Sequence, residues 1–209
     1  MMAQEENDKK KQGNLLFPIF LKQSIGEILL VGAGPVGLEK LQALVRNMPE
    51  ASITVVAIDV LHEVKQLIAP HPNITLHQRP YSPNDLNGKK LVIAAVNNRC
   101  LSEQIRDHAH DRNLLINVAD TPDLCDFYLG SIVKKGNLKL AISTNGRSPT
   151  AAKRIREMLE DVLPDELDEM LLKLNEIRNR LKGDFELKAR TMNEITETLV
   201  NSEARTKQN

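Results

Sequence analysis

Along the chain, short continuous apolar runs alternate with segments whose apolar residues recur every three or four positions. Glu27 to Val31 is a buried strand by this measure. From Val36 to Arg46, Leu38, Leu41, Leu44 and Val45 fall at helical spacing, and Met48-Pro49-Glu50 ends the helix. Ser52 to Ile58 is β-branched and continuous, as in a strand covered on both faces. The pattern repeats: a helix over Val60 to Ala69, a short strand over Ile74 to His77, and a turn over Pro83 to Asn87. A strand over Lys90 to Val96, a helix over Leu101 to Asp111 and a strand over Leu114 to Val118 complete it. Such alternation predicts an α/β fold with a doubly wound parallel sheet.

The rhythm changes after Val118. Phe127 to Lys134 and Leu138 to Ser143 read as two strands joined at Lys135-Gly136-Asn137. Ser148 is placed as an N-cap and Pro149 as the first residue of a helix. Beyond Pro164, Leu167, Met170, Leu171, Leu174, Ile177 and Leu181 make an apolar stripe closed by Gly183, and Phe185 to Val200 carries a weaker one. Upstream, Leu15 to Leu21 is apolar but holds Pro18, which suits an edge strand or a packed arm. The expected organisation is a lead-in over 1–14, a nucleotide-binding domain over 15–118, a β segment over 119–147 and a helical domain over 148–209.

Composition narrows the partners. Lys plus Arg and Asp plus Glu both number 28, so no net charge draws the chain to nucleic acid or an anionic membrane. Aromatics are 3% and Trp is absent, which leaves little for base stacking. No apolar run nears the roughly 18 residues of a membrane span, and the polar N-terminus lacks the core of a signal peptide. Two cysteines, Cys100 and Cys125, read as free thiols of a cytoplasmic protein.

The first strand runs into Gly32, Gly34 and Gly37, in G-x-G-x-x-G spacing. Gly32 permits the sharp exit, Gly34 lets backbone approach a pyrophosphate, and Gly37 lets the helix pack close. The helix start then offers amides and a favourable dipole end to phosphate. Asp59, at the end of the second strand, lies 22 residues past Gly37, where an acid reaches the adenine ribose hydroxyls and favours NAD over NADP. The alternatives are a ligand-free turn and, for Asp59, a helix N-cap. Asp120, just after the last strand of the sheet, would face the same crevice; the alternative is an Asx-turn ahead of Pro122. Asn145-Gly146-Arg147-Ser148 before a helix would suit a carboxylate ligand, unless Arg147 is a solvated loop residue.

These stretches together resemble precorrin-2 dehydrogenase and the N-terminal part of the siroheme synthases. The resemblance runs from about Leu16 to Leu163, on LLFPIFL, VGAGPVGLEK, NVAD, LCDF and AISTNGRSPTAAKRIRE. It implies a Rossmann domain, a dimerisation segment and a helical domain, a homodimer, and NAD-dependent oxidation of precorrin-2 to sirohydrochlorin. Carried over, it makes Asp120 catalytic and puts cofactor contacts on Pro35, Val36, Ile58 and Asp59. The tetrapyrrole would lie near Thr144, Asn145, Arg147 and Ser148. The substrate is a polycarboxylate, which agrees with a cationic helix start. Oxidation removes a hydride and a proton, and Asp120 could take the proton.

The chain departs from the family at Val96-Asn97-Asn98, where a threonine and acids are common, so no side-chain cofactor contact is assigned there. Asn145 replaces one glycine of a pair, a tolerable change because asparagine accepts left-handed angles. The five histidines and two cysteines show no metal-ligand spacing, so no metal site is expected. Some family members also insert ferrous iron, and a bifunctional dehydrogenase–ferrochelatase is the alternative within the family. The remaining chain has no room for a methyltransferase domain, so methylation is expected of another protein. An NAD-sensing module without turnover is the alternative of another class. A short-chain dehydrogenase is disfavoured: Tyr81 and Tyr128 are followed four residues on by Asp85 and Ile132, not lysine.

Overall fold

A computed structural model of the chain describes residues 13–181 and 185–197. Gly183 and Val200 fall outside them. Seven strands are described: β1 (Glu27–Ala33), β2 (Ile53–Val60), β3 (Ile74–Gln78), β4 (Lys89–Ala94), β5 (Leu115–Val118), β6 (Ser131–Lys135) and β7 (Leu138–Ile142). The helices are α1 (Pro35–Asn47), α2 (His62–Ile68), α3 (Arg99–His110), α4 (Pro149–Val162), α5 (Leu167–Arg180) and α6 (Phe185–Thr196). By its contacts the chain divides into two units. Of the described residues, one takes those up to Leu129 with Asn145–Arg147; the other takes Gly130–Thr144 and those from Ser148 on.

In the first unit, five parallel strands lie in the order β3-β2-β1-β4-β5, as the α/β alternation requires. Successive residues of β1 serve opposite faces. Ile28 and Leu30 pack with Leu41, Leu44, Val55 and Val64 on the side of α1 and α2. Leu29 and Val31 pack with Val56, Val92, Ile105 and Ile116 on the side of α3. Burial on both faces is why β1 reads as an unbroken apolar run rather than an alternating one. The order reverses between β1 and β4, so the crevice outside their carboxyl ends is where such a sheet places a ligand.

Within the single chain the LLFPIFL segment forms no edge strand and is not packed down as an arm. Residues 14–22 hold no regular structure, and Leu15 and Phe17 are 76% and 87% exposed. Pro18 removes a ladder donor, and the run lacks the alternation that would turn one face inward. The segment predicted as a strand from Phe127 pairs only from Ser131. Phe127 is held to the first unit instead, its carbonyl accepting from Asn117 Nδ2 at 2.8 Å.

In the second unit, β6 and β7 form an antiparallel hairpin over which α4 packs. Asp168 of α5 ties the hairpin turn, accepting from the Asn137 backbone N–H at 2.7 Å. Ser148 is the N-cap of α4, its hydroxyl accepting from the Ala151 N–H at 3.1 Å, with Pro149 next.

Candidate functional site

The three glycines have three different surroundings. A Cβ on Gly32, whose φ is +106°, would come within 2.2 Å of the Ala95 carbonyl oxygen. One on Gly37 would come within 2.2 Å of the Gly32 carbonyl oxygen. At Gly34 it would meet nothing within 4 Å. The outer glycines are therefore required by the protein's own packing, while the middle one opens onto space that packing does not fill. That is the division of roles a pyrophosphate-binding loop needs. Gly34 is also the N-cap of α1, with no side chain to cap it. The first helical bond, Leu38 N–H to the Gly34 carbonyl at 2.8 Å, leaves the Val36 and Gly37 amides ahead of it. Pro35 has no amide to offer and sits in the first turn, where none is missed.

The end of β2 is irregular in a useful way. Val31 pairs with Val56 and Ala33 with Val60, so two residues of β1 span four of β2. The excess pushes the strand end out: Ile58 is 62% exposed and Asp59 is exposed beside it. The Leu61 amide then bonds the Ala33 carbonyl at 3.1 Å, closing this strand end onto the glycine loop. The N-cap of α2 is Leu61, so Asp59 is not the helix cap.

Across the switch point, β4 ends at Ala94 and the chain passes through Asn97 to Asn98. The Asn98 carboxamide oxygen accepts from the Leu101 N–H at 3.0 Å and so caps α3. β5 follows, and its loop carries Asp120 at φ +57°. Left-handed backbone in a non-glycine residue is uncommon, and Asp is among the few that tolerate it. Asp120 is exposed. Its carboxylate has no hydrogen bond or ion pair among the described residues, so the Asx-turn is not formed.

The neighbours of Asp120 are tied down. Ala119 N–H bonds the Ala94 carbonyl at 2.8 Å, and Thr121 N–H bonds the Val118 carbonyl at 3.3 Å. Cys125 Sγ accepts from Val118 N–H at 3.2 Å and donates to the Val118 carbonyl at 3.1 Å. Burial pushes the Cys125 thiol above its ordinary pKa. Asp126 accepts from Ile116 N–H at 2.9 Å and lies 3.1 Å from His110 Nε2. The run Asp123 to Phe127 was legible as a motif but carried no spacing that predicts these bonds.

The stretch before α4 is a left-handed pair, Asn145 at φ +54° and Gly146 at +72°. Asparagine thus takes the conformation expected of it. The Thr144 hydroxyl accepts from Ser148 N–H at 3.2 Å and donates to the Ser148 carbonyl at 3.1 Å. Both hydroxyls are thus engaged in starting α4. Arg147 is exposed, with no ion pair or hydrogen bond among the described residues. Asn145 and Arg147 count with the first unit, and Thr144 and Ser148 with the second. Among the described residues no three His, Cys, Asp or Glu side chains group as a metal site. No helix there is long and apolar enough to cross a membrane.

Residues 19–131, more than half the chain, match the family described as Putative NAD(P)-binding. The chain belongs to that family. The family covers the sheet, the glycine loop, Asp59 and Asp120 together. Residues 135–161 match a second description, Sirohaem biosynthesis protein central. Among curated proteins, siroheme synthase of Psychrobacter cryohalolentis is 32% identical over 176 residues, 84% of this chain and 32% of that protein. Siroheme synthase of Nitrosococcus oceani is 39% identical over 147 residues, 70% of this chain and 31% of that protein. The chain thus spans about a third of the length of these relatives. A solved structure of SirC, precorrin-2 dehydrogenase, has the same fold, with a TM-score of 0.70 and 22% identity, covering 92% of this chain and 93% of that one.

Proposed function

We propose that the chain is an NAD-dependent dehydrogenase that oxidises precorrin-2 to sirohydrochlorin in siroheme biosynthesis, as a cytoplasmic homodimer. The observation that carries the reading is the open space at Gly34, set between two glycines that packing forbids to grow. It fits a dinucleotide, and the siroheme synthase relatives, matched along 84% of this chain in one case, supply the substrate class.

NAD⁺, when bound, supplies the acceptor for a hydride. The Gly34 backbone and the Val36 and Gly37 amides would hold the pyrophosphate, with Pro35 shaping the turn. Asp59 would accept hydrogen bonds from the adenine ribose, beside Ile58, and repel a 2′-phosphate. Asp120 would take the proton that leaves the macrocycle as the hydride departs, so that two hydrogens are removed in all. Its carboxylate is exposed and uncommitted, as a general base must be. Arg147 and the turn through Asn145 would receive a substrate carboxylate, and Thr144 and Ser148 are proposed as further substrate contacts.

Anaerobic incubation with precorrin-2 tests the reading: sirohydrochlorin should form with NAD⁺ and much more slowly with NADP⁺. Asp59→Ser should weaken NAD⁺ several-fold and narrow the preference over NADP⁺, read as the ratio of the two kcat/KM values. An unchanged ratio removes Asp59 from the site. For the dimer, the exposed Leu15, Phe17, Ile19 and Phe20 add apolar surface of the kind that associates. Light scattering during size exclusion should give twice the chain mass at micromolar concentration; a monomer contradicts it.

A further inference from the structure

We propose that Asn117, Cys125 and Asp126 form a clamp that positions Asp120 for proton transfer, a role that rests on the reading of Asp120 as the base. β5 is an edge strand, so the outward amides of Ile116 and Val118 have no neighbouring strand. Unpaired edge amides must find other acceptors. Here the returning chain supplies them from side chains: Asp126 for Ile116 at 2.9 Å and Cys125 Sγ for Val118 at 3.2 Å. The backbone answers in the other direction, Asp126 N–H bonding the Ile116 carbonyl at 2.8 Å. Asn117, 6% exposed, donates from Nδ2 to the Phe127 carbonyl at 2.8 Å and to Cys125 Sγ at 3.5 Å.

The thiol is the centre of this arrangement. Besides Val118, it reaches the Thr121 carbonyl at 3.4 Å, so one sulfur contacts the loop on both sides of Asp120. The loop is thereby closed from Val118 to Cys125 while the Asp120 carboxylate itself is left uncommitted. Its left-handed φ persists because the surrounding bonds determine it. A reactive carboxylate on a rigid turn is placed without being consumed by the bonds that place it. Asn117, Cys125 and Asp126 act through Asp120 and are positioning residues.

The test compares Cys125→Ala, Cys125→Ser and Asp120→Asn with the parent, and Cys125→Ala in the Asp120→Asn background. Readouts are kcat and KM with precorrin-2 and NAD⁺, thermal melting, and hydrogen exchange at the Val118 amide. In Cys125→Ala, kcat should fall roughly ten- to hundredfold, the cost of a base misplaced by about an ångström. KM for NAD⁺ should stay within about twofold, since the phosphate loop is untouched. The Val118 amide should exchange faster. Cys125→Ser, which keeps a donor and acceptor, should restore most of kcat. In the Asp120→Asn background Cys125→Ala should cost nothing further.

Parent-like kcat in Cys125→Ala, with Asp120→Asn impaired, overturns the clamp and leaves the base standing. So does an equal loss from Cys125→Ala in both backgrounds. Full turnover in Asp120→Asn overturns the base, and the clamp's role falls with it. If Cys125→Ala does not fold, Cys125→Val fills the same space without hydrogen bonds and takes its place with the same outcomes.

Discussion

Asp120→Asn should fold, bind NAD⁺ with parent affinity, and lose turnover by about a hundredfold or more, the usual cost of a lost general base. The substitution keeps the side chain's size, and asparagine accepts the φ of +57° found there, so the loop has no reason to move. Asp120 also has no protein partner to leave stranded, since no bond to its carboxylate is formed among the described residues. What changes is the capacity to accept a proton. The loss should therefore fall on kcat, with KM for NAD⁺ preserved. Steady-state kinetics beside a calorimetric titration of NAD⁺ separates the two. Unaltered kcat would mean that the proton leaves to another group or to water.

The glycine loop should answer differently at each position. Gly37→Ala puts a methyl 2.2 Å from the Gly32 carbonyl, backbone against backbone, with no flexible side chain to give way. The cost should reach at least about 3 kcal/mol, the upper end for overpacking. In a chain of this size that lowers Tm by roughly 6–12 °C. Gly34→Ala meets no atom, and its φ of −80° suits any residue, so Tm should stay within about 3 °C. NAD⁺ binding should nonetheless weaken by at least about tenfold, because the methyl occupies the approach to the pyrophosphate. Differential scanning fluorimetry with and without NAD⁺ reads both effects. Equal destabilisation by the two variants would mean that Gly34, too, serves packing rather than a ligand.

Much of the fold was legible because its signals are local. Buried parallel strands are continuous apolar runs, and β1, β2 and β4 each register as one. The start of α4 was legible from two residues, Ser148 and Pro149, whose chemistry permits little else. LLFPIFL misled because apolar content alone does not say which way side chains point. Phe127 to Gly130 misled because a tertiary bond from Asn117, not the local pattern, decides the path. The candidate site was legible in its glycines and acids, whose spacing follows from strand and helix lengths. The bonds of Cys125 and Asp126 were not. A side chain that repairs a sheet edge can come from any loop, and no period marks it. The displacement of Ile58 and Asp59 was likewise invisible, since a register shift is a property of two paired strands and not of one.

We propose that this chain removes a hydride and a proton from a tetrapyrrole and passes the hydride to NAD⁺. Following NADH and sirohydrochlorin together, anaerobically, from a known amount of precorrin-2 decides it. One NADH should form for each sirohydrochlorin, at a rate proportional to protein. Sirohydrochlorin formed no faster than without protein, with NAD⁺ bound and no NADH produced, would contradict it and leave a dinucleotide-binding module that performs no oxidation.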